Sequence, residues 1–423
     1  MRRAAVIVGS TVAGGLLGGG VMVAVQASAP PADQAAPRPA SVQRPATASG
    51  DAATRSTPPA GPTPSPPVTD APSAPAPAVL LAWSRSGAGR GLDPGLESAA
   101  AAVPGVGGTS LVRAGGLDLV GSQDMEGRPV DALAPGWAIP LDAAAIDPAR
   151  HAGFVPIGDR AAVTGLGPGE AVLGRTSAEL RRLSVGGVID LAGGGSVVVS
   201  AIVEDASIGG AELAVDVATG ERLGLTTPRY LLLAYSGDRP ALEDQLRAAL
   251  RPGTVVRFRG PGETPYLRHA DAVLPQAQIK ARFGEFSYRA GGGGGFEQDP
   301  RWQAENVVTR RVPILGTVRC HRGIVEALAG ALTEIERAGL ASLVEQAGYD
   351  GCFNPRFVAG SDSVSRHAWG VAFDMGFSSN PTGLESVQDP RLVEIFRRWG
   401  FTSGDSWLVP DAGHFEFVAP PGV

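Results

Sequence analysis

Three of the chain's five histidines fall in its last 103 residues, and two of them keep company that suggests metal chemistry. The segment SRHAWGVAFDMGF, residues 365–377, carries His367 and Asp374, and DAGHFEF, residues 411–417, carries His414. A neutral imidazole nitrogen and a carboxylate oxygen are both good zinc ligands. Two His and one Asp leave the fourth position of a tetrahedral ion open for water, the arrangement of a catalytic site. Bound zinc lowers the pKa of that water towards about 7 and polarises a carbonyl. A hydrolase also needs a base beside the water. Asp411, three residues before His414, is the first candidate. Glu416 alternates with His414 along a strand and is the second; its other reading is to orient a ligand or to pack.

These side chains need elements that aim them at one point. Residues seven apart share a helical face, but Gly370 followed by Val371, Ala372 and Phe373 disfavours a helix. The sequence predicts a turn over 368–370 leading into a strand that carries Asp374. Positions seven apart on one continuous strand face opposite sides, so a turn at Gly370 is needed to join His367 with Asp374. An Asp inside an apolar strand must also have a partner, because burying a bare carboxylate is costly, and a metal supplies one. Ion-paired surface residues would be the default reading of these two short motifs taken alone. His321, next to Cys320, is expected beside the site or at a helix start, while the isolated His151 and His269 read as surface or structural. Two amphipathic helices flank the site. One spans 322–338, with Ile324, Leu328, Leu332 and Ile335 on one face, and the other spans 391–399, with Leu392, Ile395, Phe396 and Trp399. Cys320 and Cys352 are the only cysteines. An isolated pair in an exported chain most simply forms one disulfide, worth about 3 kcal/mol. A Cys metal site is the rival, although neither has a CxxC partner.

Upstream the pattern changes. Over residues 80–268 short apolar strands alternate with glycine-rich turns, as in VGGVIDLAGGGSVVVSAIVED (185–205) and ELAVDVATGERLGL (212–225). Gly193, Gly194 and Gly195 separate two apolar runs as a hairpin would, and Leu242, Leu246 and Leu250 mark a helix over 240–250. The stretch from 172 to 205 loosely resembles the extracytoplasmic β-rich domain of certain ABC-type permeases, which implies a β-rich accessory domain and no chemistry. A glycine run, 291–295, reads as a flexible loop before the helix-richer C-terminal region.

The N-terminus points out of the cytoplasm. Arg2 and Arg3 precede an uncharged run whose 22-residue apolar part, as a helix, would rise about 33 Å and cross a bilayer core. It ends at Ala27-Ser28-Ala29, a signal-peptidase pattern, so residues 1–29 read as a cleaved signal peptide or an uncleaved anchor in the inner membrane. Residues 30–79, with 14 of the chain's 36 prolines before Leu80, read as a disordered linker that polyproline II could extend. A net charge of -6 and a pI near 5.5 argue against a nucleic-acid partner.

The motif Ser365-x-His367-x-x-Gly370-x-Ala372-x-Asp374 resembles the SxHxxGxAxD signature of the zinc D-alanyl-D-alanine carboxypeptidases, a family that also holds L-alanyl-D-glutamate endopeptidases of phage lysins. Asp411-x-x-His414-Phe415-Glu416 resembles its second motif, and its Asp is similar to the endopeptidase-like branch. YDGCFNPR, residues 349–356, resembles the segment carrying the family's substrate-binding arginine, here Arg356. The resemblance spans about residues 280–420 and implies an α+β chain. Its C-terminal zinc domain, 276–423, would take the fold shared by D-Ala-D-Ala peptidases and the hedgehog signalling domain, behind a β-rich accessory domain at 80–275. It implies one Zn(2+) per chain held by His367, Asp374 and His414, with Asp411 as base and Arg356 on the oxyanion. Ser365 would lie near substrate, fix His367 or serve as a turn residue. The implied partner is a peptidoglycan stem peptide in the cell envelope. Three functions stay open: carboxypeptidase, stem-peptide endopeptidase, and a zinc-bearing wall-binding module without turnover.

Overall fold

In the computed structural model the described residues are 78–84, 91–93, 95–249, 256–261, 263, 273–291, 295–376, 378–407 and 410–419. The signal or anchor segment, almost all of the proline-rich linker, Leu250 and His269 lie outside them. No helix of the described residues is long and apolar enough to cross a membrane.

The runs rich in β-branched residues form strands. From Ala78 to Arg259 they build one ten-stranded sheet. Its path runs Val256–Arg259, Ala78–Ser84, Pro228–Tyr235, Val106–Gln123, Ile139–Ile146, Leu213–Asp216, Glu170–Gly174, Ser196–Val203 and Val188–Leu191, with Pro129–Ala132 branching off Val106–Gln123. The long strand Val106–Gln123 pairs again with Val188–Leu191, so part of the sheet closes on itself and loses its free edges. Leu119, Leu141, Leu173 and Val215 fill the enclosed core. The triple-glycine turn joins Val188–Leu191 to Ser196–Val203 as a hairpin, with Gly193 and Gly194 at φ +83°. The segment 212–225 departs from the strand expectation. It makes a strand only over Leu213–Asp216, after which Asp216 accepts hydrogen bonds from the backbone N–H of Ala218 and Thr219 and caps the helix Val217–Arg222. The leucine-marked helix forms over Arg239–Ala249 with Leu242 and Leu246 buried. His151 is buried and structural, bonded to Ser110 Oγ and the Ser207 carbonyl, both at 3.0 Å.

The helix Gln276–Phe283 ties this sheet to the C-terminal region through buried charge. Lys280, the chain's only lysine, places Nζ 2.9 Å from both carboxylate oxygens of Glu212 and 3.0 Å from Glu285 Oε1. Arg181 donates to the same Glu285 oxygen at 2.6 Å, and Gln276 Nε2 reaches Glu212 Oε1 at 3.0 Å. The side chains of Lys280, Arg181 and Glu212 are fully enclosed, so each charge depends on the others.

The C-terminal region folds around a four-stranded antiparallel sheet in the order Tyr349–Gly351, Ala372–Met375, Asp411–Phe417, Phe401–Gly404. Strand alternation sends Phe373, Phe415 and Phe417 to one face and Asp374, His414 and Glu416 to the other. Phe373 and Phe415 pack with Phe396 of the helix Pro390–Arg398, beside the helix Val325–Arg337, and Phe417 packs with Phe401. Ile324, Leu328, Leu332 and Ile335 are buried as their spacing predicted, as are Leu392, Ile395 and Phe396. A side chain at Gly330 would overlap the indole of Trp399, which is why two helices can meet there.

Candidate metal centre and active site

The predicted turn exists and is a short 3-10 helix, Arg366–Trp369, followed by Gly370 at φ +66° and the strand Ala372–Met375. Ser365 starts it, its Oγ accepting from the His367 N–H at 3.3 Å. A Cβ at Gly370 would meet the backbone N of His321 at 2.8 Å, so both the left-handed conformation and the close approach require glycine. Asp374 and His414 are direct cross-strand partners in the antiparallel ladder. The three predicted ligands therefore converge: His367 Nε2, Asp374 Oδ1 and His414 Nδ1 form a triangle with sides of 3.1, 3.0 and 3.2 Å.

The donor set fits a small divalent cation. His367 Nδ1 lies 2.7 Å from the Cys352 carbonyl and so carries the proton, which turns the Nε2 lone pair inward. His414 Nδ1 faces the same point, and the Glu416 carboxylate lies 3.8 Å from its Nε2 on the other side. Two lone pairs and a carboxylate oxygen aimed at one another repel unless a cation lies among them. Ligand atoms about 2.0–2.1 Å from a tetrahedral zinc stand roughly 3.3–3.4 Å apart, close to the triangle seen. His367, Asp374 and His414 could thus hold a metal ion.

The surrounding charge favours a cation. Burial would raise the Asp374 carboxyl, but when the facing nitrogens of His367 and His414 carry protons in place of a metal their hydrogen bonds outweigh it and hold the group below the usual carboxylate range. Burial likewise works against a charged His414, yet Asp374 and Glu416 outweigh it and lift the ring to about 9. Glu416 is itself buried. One of its oxygens accepts from the Val273 N–H at 2.8 Å and the other has no hydrogen-bond partner, so it backs His414 from the side away from the cluster. Of its two predicted roles, its position suits orienting a ligand.

Asp411 and His414 lie on one strand at a spacing that would normally separate them. A bulge resolves this: Ser403 pairs with Phe415, but Gly404 pairs with Asp411. The Asp411 carboxylate thereby comes within electrostatic reach of His414, Asp374 and His367. Burial raises the Asp411 carboxyl above its ordinary value, against the pull of His414 and of the Thr382 hydroxyl, which donates to Oδ1 at 3.1 Å. Arg356 lies on the adjoining segment, where its carbonyl accepts from the Ser365 N–H at 3.1 Å. Its guanidinium makes no hydrogen bond or ion pair among the described residues, and it lines an open cleft of about 860 Å³. His321 is outside the cluster. Its Nδ1 accepts from the Gly323 N–H at 2.9 Å, at the approach to the helix Val325–Arg337, and its Nε2 meets the Phe283 carbonyl at 3.1 Å. Cys320 and Cys352 are disulfide-bonded, so no cysteine ligates. Three neighbours escaped the sequence reading. They are Thr382 on Asp411, the Cys352 carbonyl on His367, and the half-buried Trp407, whose ring lies 5.2 Å from that of His414. None has a motif of its own; only the DxxH spacing and the cysteine pair pointed towards them.

Residues 359–417 match a protein-family model described as D-alanyl-D-alanine carboxypeptidase. That segment holds Ser365, the three cluster residues, Asp411 and Glu416, and begins after Arg356. Among solved structures, the chain is similar to the periplasmic region of MacB from Actinobacillus actinomycetemcomitans, with 10% identity over 44% of this chain and 89% of that one, at a TM-score of 0.30. It is also similar to the extracellular domain of the noncanonic ABC-type transporter YknZ from Gram-positive bacteria, with 11% identity over 40% and 88% of the two chains, at a TM-score of 0.26. No curated protein matches the chain.

Proposed function

We propose that the C-terminal region is a zinc-dependent peptidase that hydrolyses a peptide bond in peptidoglycan stem peptides, in the first instance as a D-alanyl-D-alanine carboxypeptidase. The observation that carries this reading is the convergence of His367 Nε2, Asp374 Oδ1 and His414 Nδ1, with the Asp411 carboxyl in electrostatic reach, inside the segment that matches the carboxypeptidase family model. A zinc ion bound there supplies Lewis acidity and a more acidic water.

The chain's own groups do the rest. Asp411, its Oδ1 held by Thr382, keeps Oδ2 for proton transfer. It takes a proton from the attacking water and returns it to the leaving amine nitrogen. A carboxyl raised by burial suits both halves of that exchange better than an ordinary aspartate would. The Cys352 carbonyl fixes the His367 tautomer, and the Glu416 carboxylate places negative charge behind His414. Arg356 places positive charge near the carbonyl oxygen on which charge develops, an effect often worth several kcal/mol. The half-buried Trp407 forms an apolar wall beside His414.

The enzyme would act outside the cytoplasm, which the Cys320–Cys352 bond and the N-terminal apolar run both support. The test is digestion of muropeptides followed by product masses. Asp411→Ala is expected to lower the rate by about 10²–10⁴-fold, the usual weight of general acid–base catalysis, while zinc content stays near one per chain. Unchanged cleavage in that variant would remove Asp411 as the base. Products lacking only the terminal D-Ala identify the carboxypeptidase, and cuts within the stem identify the endopeptidase.

A further inference from the structure

The segment 352–367 carries the metal-site supports and then leaves them. The Asn354 N–H bonds to the His367 carbonyl at 2.9 Å and the Arg356 carbonyl takes the Ser365 N–H, so Asn354 and Arg356 run alongside the first ligand. Between them and Ser365 the chain makes a hairpin, closed by a bridge from Phe357 to Val364. Its tip, residues 358–360, is exposed, and its return arm reaches the sheet. Asp362 Oδ2 accepts from the Gly116 N–H at 2.8 Å, on the long strand Val106–Gln123 of the ten-stranded sheet. A Cβ at Gly116 would lie 2.7 Å from the Asp362 carbonyl oxygen, so the hairpin sits flush on that strand.

This docking brings a second guanidinium to the cleft. Arg229, from the strand Pro228–Tyr235, lines the same 860 Å³ space as Arg356. Its Nε donates to the Ala114 carbonyl at 3.1 Å, and its Nη2 lies 3.8 Å from Asp362, which leaves the group oriented and partly exposed. Among the described residues that line the cleft, Asp362 is the single acidic one, against two arginines. The balance is positive beside a segment hydrogen-bonded to His367.

We infer that Arg229 is the cation of a subsite for a substrate carboxylate, in the cleft that Arg356 also lines, so that the β-rich sheet supplies a specificity residue to the peptidase site. Planar guanidiniums suit carboxylates, and stem peptides offer two such groups: the C-terminal carboxylate and the α-carboxylate of a γ-linked D-glutamate. The inference rests on the peptidase reading for the choice of substrate.

The experiment uses the full chain and the peptide L-Ala-γ-D-Glu-L-Lys-D-Ala-D-Ala, together with two versions in which one or the other carboxylate is an amide. KM and kcat are measured for each, and binding is measured by calorimetry in the slow Asp411→Ala background. One amidation is expected to weaken binding by tenfold or more, and Arg229→Ala is expected to abolish that discrimination mainly through KM. Asp362→Asn removes the ion pair but leaves the guanidinium, and should retain the discrimination. Undiminished discrimination in Arg229→Ala overturns the subsite. So does an equal loss in Asp362→Asn, which would make hairpin docking the cause. Carboxylate-dependent binding that needs Arg229, found without any hydrolysis, would uphold the subsite and reject the peptidase reading.

Discussion

At the scale of single residues, the cluster of His367, Asp374 and His414 was legible because its chemistry leaves few alternatives. An aspartate in the apolar run VAFDM needs a cation, and His367 and His414 were the histidines placed to help supply one. Asp411 stood ahead of Glu416 as the base in the sequence through its DxxH spacing, although both are close to His414 along the chain. Their surroundings differ: the bulge brings Asp411 towards the cluster, while Glu416 is enclosed behind His414 with one oxygen on the Val273 N–H. The two carboxylates should therefore fail differently. Glu416→Gln is expected to weaken zinc affinity by about 10–100-fold, as loss of a ligand's outer partner usually does, with turnover recovering as zinc is raised. Competition with a chelator of known affinity reads this. A defect that excess zinc leaves untouched would return Glu416 to the list of bases.

At the scale of elements, the helices with leucine and isoleucine at regular spacing and the glycine hairpin were readable, because periodicity reports burial directly. The segment 212–225 was not, since a capping aspartate decides where its strand ends and AVDVATG alternates well enough for either state. His321 shows a local interaction with a pH signature. Burial lowers it to about 4, with help from the charge of Arg322 and against the pull of the Phe283 carbonyl. Its folded value lies below the unfolded one near 6.5, so its contribution to stability is complete above about pH 6.5 and is lost as pH falls towards 4. The total loss is on the order of 3 kcal/mol at 1.36 kcal/mol per unit. Denaturant titrations from pH 7 to 4 should show a shallower decline in His321→Gln than in the parent chain. Parallel declines would mean the ring takes up its proton without cost.

At the scale of the whole molecule, composition separated a β-rich stretch from a helix-richer one but gave no sign of how firmly they join. The join depends on partners far apart in sequence: Glu212 with Lys280, Asp118 with the Tyr288 hydroxyl, and Asp362 with Gly116. The one available signal was the lone lysine in an arginine-using chain. Removing it should be severe. Lys280→Met leaves the Glu212 carboxylate enclosed with Arg181 as its one cationic partner among the described residues, at a cost of about 3–5 kcal/mol. Urea denaturation of the full chain checks this; a change within about 0.5 kcal/mol, as for an ordinary surface site, would mean the cluster is solvated or neutral.

The most direct measurement is anomalous diffraction at the zinc edge from crystals of the chain grown with zinc and no chelator. The account predicts one strong peak at about 2.0–2.2 Å from His367 Nε2, Asp374 Oδ1 and His414 Nδ1 together, with an open position beyond it. A clear peak elsewhere, or none at that triangle with the three side chains ordered, would contradict it.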